Sequence, residues 1–444
     1  MGVVTRTAPA PPSAKPRQGL LLVGTAILLT GVNLRTAVNS VGPVLQEIEH
    51  GLGVSSAAAG VITTLPVLCF AALGFAGPPL AARFRDGHVL AAALLAMALG
   101  LVGRAAAGSF WLFVLGTVAA MAGGALGNVL LPGLVKRYFP GRTGLLVSAY
   151  GTAMAIGGTL ASGATAAIAA RIGDGGWRWA LGVWAVLALV AVLPWLAVPA
   201  RPGASAGRHT AVRMRALVHS RLTWSMTLMF GLQAMQAYVI IGWTAQYLRD
   251  QGMSAAAAGL LVGLNAVIAI PVNAAVPPLT VRSRLQRPLL VGFICCYLAG
   301  WTGLAVAPLT ATWLWVTLLG LGLGTFSMVL TLMGLRARTP ESTAALSTVT
   351  QGGGYLLAAV GPLLVGVLRG ATGGYTGMFV LVYVGVVLLL ITGWIVCRER
   401  YVDDELPGLA ATAASADPER GADVEVAGAE PPVTVPHGRR GPDA

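Results

Sequence analysis

Charge is scarce in this chain. Only 10% of its 444 residues are Asp, Glu, Lys or Arg, where a soluble domain carries about 25%. The 56% that are hydrophobic fall in long blocks without alternation or heptads. Blocks of roughly 20 apolar residues cross a bilayer as helices, and they are too continuous for barrel strands. Away from the edges of those blocks, carboxylates and imidazoles are absent. The sixteen acidic residues are Glu47, Glu49, Asp86, Asp174, Asp250, Glu341, Glu399 and nine beyond residue 400. All lie in loops, at block edges or in the C-terminal tail. The histidines, His50, His88, His209, His219 and His437, likewise lie outside the blocks or at a block edge, none mid-block.

These absences exclude several activities. An enzyme working inside the membrane needs a nucleophile, an acid–base pair or metal ligands at that depth. Exchange of a proton for a cationic drug uses an embedded Asp or Glu. The four cysteines, Cys69, Cys295, Cys296 and Cys397, have no metal-ligand spacing with histidine and read as small core residues. No Gly-rich phosphate loop ending in Lys-Ser/Thr is present, so ATP is not the expected energy source. No cofactor and no metal are implied. The net charge of +13 reflects short basic loops rather than a nucleic-acid partner. Only two basic residues are lysine, Lys15 and Lys136.

What is present is helix-forming apolar sequence in twelve blocks: residues 20–42, 57–80, 88–105, 110–134, 143–169, 179–198, 222–247, 256–279, 288–307, 311–335, 342–368 and 375–397. The fold class expected is an all-α membrane protein of twelve transmembrane helices in two six-helix bundles. Its parts are an N-terminal tail (1–18), a first bundle (19–198), a basic linker (199–221), a second bundle (222–400) and a C-terminal tail (401–444). Both tails, rich in Pro and Ala, read as disordered. The first block runs past Gly31 without a small-residue cleavage site, so it reads as a span and not as a signal peptide. Glycine, with 59 residues, fits a lipid setting, where small residues let helices approach closely.

Charge sets the expected orientation. With both tails inside, the cytoplasmic side holds 20 basic residues and the outer loops and their edges hold five: Arg104, Arg171, Arg178, Arg249 and Arg369. This is the positive-inside pattern of a multi-pass protein of the plasma (inner) membrane.

The halves repeat. Gly53-Val-Ser-Ser-Ala-Ala-Ala-Gly60 matches Gly252-Met-Ser-Ala-Ala-Ala-Ala-Gly259 at six of eight positions, offset by 199. Each stretch opens the second span of its half with a serine able to cap the helix. Asn128-Val-Leu pairs with Met328-Val-Leu, and Pro140 with Pro340, at an offset of 200. Equal span counts make this a parallel duplication.

One charged residue falls well within an apolar block: Arg35, in Asn33-Leu34-Arg35. No carboxylate at that depth can neutralise it. A guanidinium offers a fixed fork of donors suited to carboxylate-like geometry. It either faces a central cavity and attracts an anionic or strongly dipolar solute, or snorkels and ties helix ends. Neutral polar residues supply further candidate substrate contacts: Asn33, Asn128, Tyr150, Gln233, Gln236, Tyr238, Asn265, Gln351 and Tyr355. Amides and phenols can bind an anion's oxygens or only bridge helices. Trp243 reads as a further contact or an interfacial anchor. Pro66, Pro132, Pro271 and Pro362 fall within spans, where proline permits bending or a fixed kink. Gly352–Gly354 and Gly361-Pro362 mark the eleventh span as a place for either.

Together these segments resemble a known branch. They are Asn33-Leu34-Arg35 with Val41-Gly42-Pro43, Thr64-Leu-Pro-Val-Leu68, Gly127-Asn-Val-Leu-Leu-Pro132, Lys136-Arg137, Phe139-Pro-Gly-Arg142, Gly176-Trp-Arg-Trp179, Gly231-Leu-Gln233, Tyr238, Trp243, Gly354-Tyr355 and Gly361-Pro362. Over roughly residues 20–397 the chain is similar to the cyanate / 2-nitroimidazole transporter branch of the major facilitator superfamily. The resemblance implies a permease for small, often anionic solutes, with a site between two bundles and alternating access. It implies a small-molecule substrate and a lipid bilayer as partners, and a monomer. Two departures stand out. Gly77-Pro-Pro-Leu-Ala-Ala-Arg83-Phe-Arg85-Asp86 places its acid later than the superfamily pattern, so the gating salt bridge tied to that pattern is not implied. Thr36 stands where the branch has proline, so the first span is expected to run straighter. An exporter of a drug, nitroaromatic compound or metabolite would share the same fold.

Overall fold

The computed structural model describes residues 17–83, 86–139, 142–198 and 217–405, with side chains omitted at some positions, 73–83 among them. The N-terminal tail, the linker from 199 to 216 and the chain beyond 405 lie outside the described residues. The first half contains α1 (Arg17–Asn39), a 3₁₀ turn (Gly42–Val44), α2 (Leu45–Leu52), α3 (Ser56–Arg83), α4 (Asp86–Ala105), α5 (Phe110–Tyr138), α6 (Thr143–Ile172), α7 (Gly176–Gly182) and α8 (Trp184–Ala197). The second contains α9 (Arg221–Asp250), α10 (Ala255–Thr280), α11 (Ser283–Val306), α12 (Thr312–Gly322), α13 (Thr325–Leu335), α14 (Pro340–Thr372) and α15 (Thr376–Val396), then a 3₁₀ turn, Val402–Glu405. Eleven of the described helical stretches are long and apolar enough to cross a membrane, and the shorter described apolar part of α3, Ser56–Ala72, makes the twelfth. Leu99, Leu115, Leu193, Leu196 and Val380 stand more than half exposed, as a surface solvated by lipid requires.

The repeat is visible in the caps. Ser55 Oγ accepts from Ala58 N at 3.4 Å and Ser254 Oγ from Ala257 N at 3.3 Å. Each follows a left-handed glycine, Gly53 (φ 61°) and Gly252 (φ 100°), a conformation open to glycine at little cost. One seam between the halves is α3 against α14, the other α6 against α10. A Cβ on Gly60 would stand 2.9 Å from Leu363 O, and one on Gly366 would stand 2.6 Å from Ser56 O. Small residues therefore set how closely the halves meet.

Three expectations change. The sixth and tenth spans are each broken, at Val183 and at Leu323–Gly324, neither at a proline. The eleventh span, α14, instead runs unbroken for 33 residues through Gly352–Gly354 and Pro362. Nor is the C-terminal segment structureless from its start. Ser342 Oγ donates to Asp403 Oδ1 (2.6 Å) and Arg338 N to Asp403 Oδ2 (2.8 Å), while Glu405 Oε2 accepts from Ser220 Oγ (2.8 Å) and Leu222 N (3.2 Å). Glu405 binds a free first-turn N–H of α9 and Asp403 sits at the N-terminal end of α14, where negative charge is favoured. Lastly, Cys69 and Cys397 are buried, as small core residues should be, but Cys295 is exposed on α11.

Candidate functional site

Arg35 lies on α1 one turn before its end, where α1, α6 and α10 converge. Gly158 makes room: a Cβ there would stand 3.5 Å from both Arg35 Cβ and Ala266 Cβ and 2.9 Å from Asn39 Nδ2. α1 is continuous through Thr36, whose hydroxyl donates to Asn33 O at 2.9 Å. Arg35 is half-buried. Among the described residues it makes no ion pair. The phenols of Tyr238 (α9) and Tyr355 (α14), both from the other half, are within its electrostatic reach.

Tyr355 is the centre of an aromatic cluster. Its ring stacks on Phe70 of α3 (centroids 5.7 Å, planes 30° apart) and meets Phe230 edge-on (5.0 Å, 87°) and Tyr238 edge-on (6.4 Å, 74°). Gln351 is one turn before Tyr355, on the same face of α14, and its Nε2 donates to Ser347 Oγ at 2.7 Å. Gln233, on α9, is buried with its Oε1 unpartnered. Asn128 and Tyr150 are half-buried within the first half. Tyr150 packs against α1 where Gly31 leaves space. Phe70 and Phe230 gave no sequence signal, because an aromatic in an apolar block looks like core.

Three candidate contacts face away from the seam. Asn33 Nδ2 donates to Leu29 O (2.9 Å) and, across to α8, to Leu187 O (3.2 Å). Gln236 does the equivalent in the second half: its Nε2 donates to Val382 O of α15 (2.8 Å), and its Oε1 accepts from Trp301 Nε1 (2.9 Å). Both amides tie the first span of their half to the last. Asn265 donates to Val262 O of its own helix (3.1 Å) and directs its Oδ1 toward Gly320 of α12. In an apolar interior an amide is held by whatever carbonyl neighbours it, and here those carbonyls belong to the same bundle. Trp243 is fully buried and donates to Pro362 O at 3.1 Å, so it is not an interfacial anchor.

Arg104 corrects the reading of Arg35 as the one cation inside an apolar block. It is fully buried, donating from Nη1 to Ala37 O (3.0 Å) and from Nη2 to Ser40 Oγ (2.8 Å). The end of a predicted span looked solvated in sequence, but this guanidinium turns inward onto the C-terminal carbonyls of α1, where positive charge is favoured.

Beyond Arg35, away from the chain termini, the halves are closed. Gly42 packs on the backbone of Ile241, and Gly242 on Thr63. The void left there, lined by Pro66, Thr63 and Tyr238, has about 10 Å³, room for one water at most. Farther out, Arg249 holds Glu47 with both nitrogens (2.7 and 2.8 Å) and Pro43 O (3.0 Å). Arg369 donates to Ser56 Oγ (2.8 Å), Glu49 Oε1 (3.4 Å) and Asp250 Oδ2 (3.0 Å). Gln246 donates to Glu49 at 3.2 Å and Tyr375 to Asp250 at 2.6 Å. Burial, then the bond to Asp250, push the Tyr375 phenol up, so it remains a donor. The carboxylates Glu47 and Glu49 belong to the first half, both arginines to the second.

The sequence pattern of the Major Facilitator Superfamily matches residues 22–362. The chain is 36% identical over 393 residues to the uncharacterized transporter YycB of Bacillus subtilis (strain 168), covering 88% of this chain and 97% of that protein. It is 34% identical over 381 residues to the 2-nitroimidazole transporter of Escherichia coli (strain K12), covering 85% and 95%. With the cyanate transport protein CynX of the same organism it shares 29% over 350 residues, covering 79% and 90%. A bacterial homologue of the human lysosomal transporter Spinster, in an inward-facing, occupied conformation, has the same fold: TM-score 0.70, 18% identity, 87% of this chain and 98% of that one. The chain therefore belongs to the Major Facilitator Superfamily of transporters, in the branch that holds the 2-nitroimidazole and cyanate transporters.

Proposed function

We propose that this chain is a secondary permease that moves a small polar or anionic solute across the plasma membrane by alternating access, as a monomer. Arg35 is its principal substrate contact, with Tyr238, Tyr355, Gln233 and Gln351 beside it. The carrying observation is a guanidinium at the seam between the halves with no carboxylate on it among the described residues. A cation held there is costly, and an anion arriving from water would offset that cost with a charge-assisted bond. Facing phenols from the other half supply further donors without taking up a proton. The excess of basic residues near the termini supports a cytoplasmic assignment for that end. On that assignment the closed, ion-paired end faces outward. A cyanate-like solute fits the charge. Export of a nitroaromatic compound is the alternative favoured by the aromatic ring cluster.

The test is uptake of labelled monovalent anions, graded from cyanate to benzoate, into proteoliposomes. Arg35→Gln should lower uptake at least about tenfold, equivalent to about 1.4 kcal/mol, with unchanged insertion, and Arg35→Lys should restore part of it. Undiminished transport of every anion by both variants would remove Arg35 from the site.

A further inference from the structure

Arg35 explains attraction for negative charge, but it does not explain the rings around it. Arg35 lies seven residues before Gly42 of the closed layer, with the end of α1 at Asn39 between them. Phe70 lies the same distance from Thr63 in that layer. Tyr355 is four residues from Ala359, whose carbonyl accepts from Thr64 Oγ1 at 3.4 Å. The stacked ring pair therefore lies beneath the closure, with Tyr238 at its edge and Arg35 within electrostatic reach of both phenols. Phe70 and Tyr355 come from opposite halves and are each half-buried. Neither the Tyr238 nor the Tyr355 hydroxyl has a hydrogen-bond partner among the described residues, although Tyr238 is only 6% exposed. Among those residues the site has one formal positive charge and no negative one.

We propose that this site selects a planar aromatic monoanion, an arene carboxylate, over a small linear anion or an uncharged ring. The proposal rests on the reading above that Arg35 faces the passage. One carboxylate matches the single charge. Its two oxygens fit the guanidinium fork in a bidentate pair, with a phenol donor at each remaining lone pair. The ring then lies against the Phe70–Tyr355 pair, where offset and edge-on contacts are both favourable. Cyanate would satisfy Arg35 but make no contact with those rings. An uncharged ring would leave the guanidinium without one, and such an unmatched buried donor is the stronger penalty.

Binding to the purified full-length chain tests this with four probes: benzoate, cyclohexanecarboxylate, cyanate and 2-nitroimidazole. Benzoate should bind at least about fivefold more tightly than its saturated counterpart, as one aromatic contact implies, and more tightly than cyanate and 2-nitroimidazole. Phe70→Leu, which keeps most of the volume, should reduce benzoate affinity about three- to tenfold and leave cyanate unchanged. Tyr355→Phe keeps the ring, so it should weaken both carboxylates equally and preserve the preference between them. Arg35→Gln should weaken all three anions. Equal binding of benzoate and cyclohexanecarboxylate, benzoate binding no tighter than that of cyanate or 2-nitroimidazole, or no effect of Phe70→Leu on benzoate, overturns the aromatic assignment. If anion binding in those cases still depends on Arg35, the permease reading stands. If Arg35→Gln changes nothing, both fail.

Discussion

Two arginines lie within the apolar spans, and they are solvated in different ways. Arg104 is enclosed and satisfied by backbone and hydroxyl oxygens at the end of α1, with its Nε unpartnered. Arg35, one turn back along α1, makes no ion pair among the described residues and lies within electrostatic reach of the Tyr238 and Tyr355 phenols. The first is a structural cap; the second is the proposed substrate contact. Arg104→Ala would strand two buried acceptors and leave a cavity, so we expect about 2–4 kcal/mol of destabilisation. Arg104→Met refills the volume and should cost less. Thermal unfolding in detergent would show the order Ala below Met below wild type. An unchanged midpoint for Arg104→Ala would contradict the cap. By sequence alone Arg104 looked like a loop-edge charge, because a burial that depends on a side chain's direction leaves no trace in spacing.

At the scale of elements, the apolar blocks fixed the helices because bilayer thickness demands a certain length. The breaks were not fixed in that way. α14 carries Pro362 without interruption, while glycine-rich sequence at Gly320, Gly322 and Gly324 accompanies the break between α12 and α13. A Cβ on Gly322 would stand 2.8 Å from the Tyr297 ring, so packing requires glycine there whatever its helix propensity. The turn at Val402–Glu405 is the other element missed. Its acids bind helix ends from α9 and α14, partners nearly two hundred and about sixty residues away in the chain. Removing both caps, as Asp403→Ala with Glu405→Ala, should lower stability by about 2 kcal/mol, read as a lower unfolding midpoint. No shift would mean the turn contributes nothing to the second half.

On the scale of the whole molecule, the ion pairs at the end away from the termini hold the halves together across the passage. Arg249–Glu47 and Arg369–Glu49 are partly shielded, and such a pair contributes on the order of 1 kcal/mol. Breaking both, with Arg249→Gln and Arg369→Gln, should shift the population toward opening at that end by roughly tenfold or more. Spin labels at His50 and Ala371, on opposite halves, would report a longer distance. The charge swap Glu47→Arg with Arg249→Glu should restore the shorter one. Persistence of the short distance in the double Gln variant would show that glycine packing along α3 and α14 closes this end without the charges. The acids of this closure were visible in sequence only as loop-edge residues. Their pairing joins Glu47 to Arg249 and Glu49 to Arg369, separations that no local pattern encodes.

The sequence by itself determined the solvent, the number of spans, the duplication and the family. Each follows from runs and repeats along one strand of text: apolar length matched to a bilayer, and one six-helix unit written twice. It also singled out Arg35, Tyr238 and Tyr355, since a polar group in lipid stands out against its neighbours. Tertiary structure decided which of the polar residues meet. Asn33 and Gln236 became ties within their bundles, Arg104 became a buried cap, and Phe70 stacked on Tyr355 across the seam between the halves. The physical reason is direction. Hydropathy records how much a side chain dislikes lipid, whereas a binding site depends on which neighbour that side chain turns toward, and that is set by the rotation of each helix against the others.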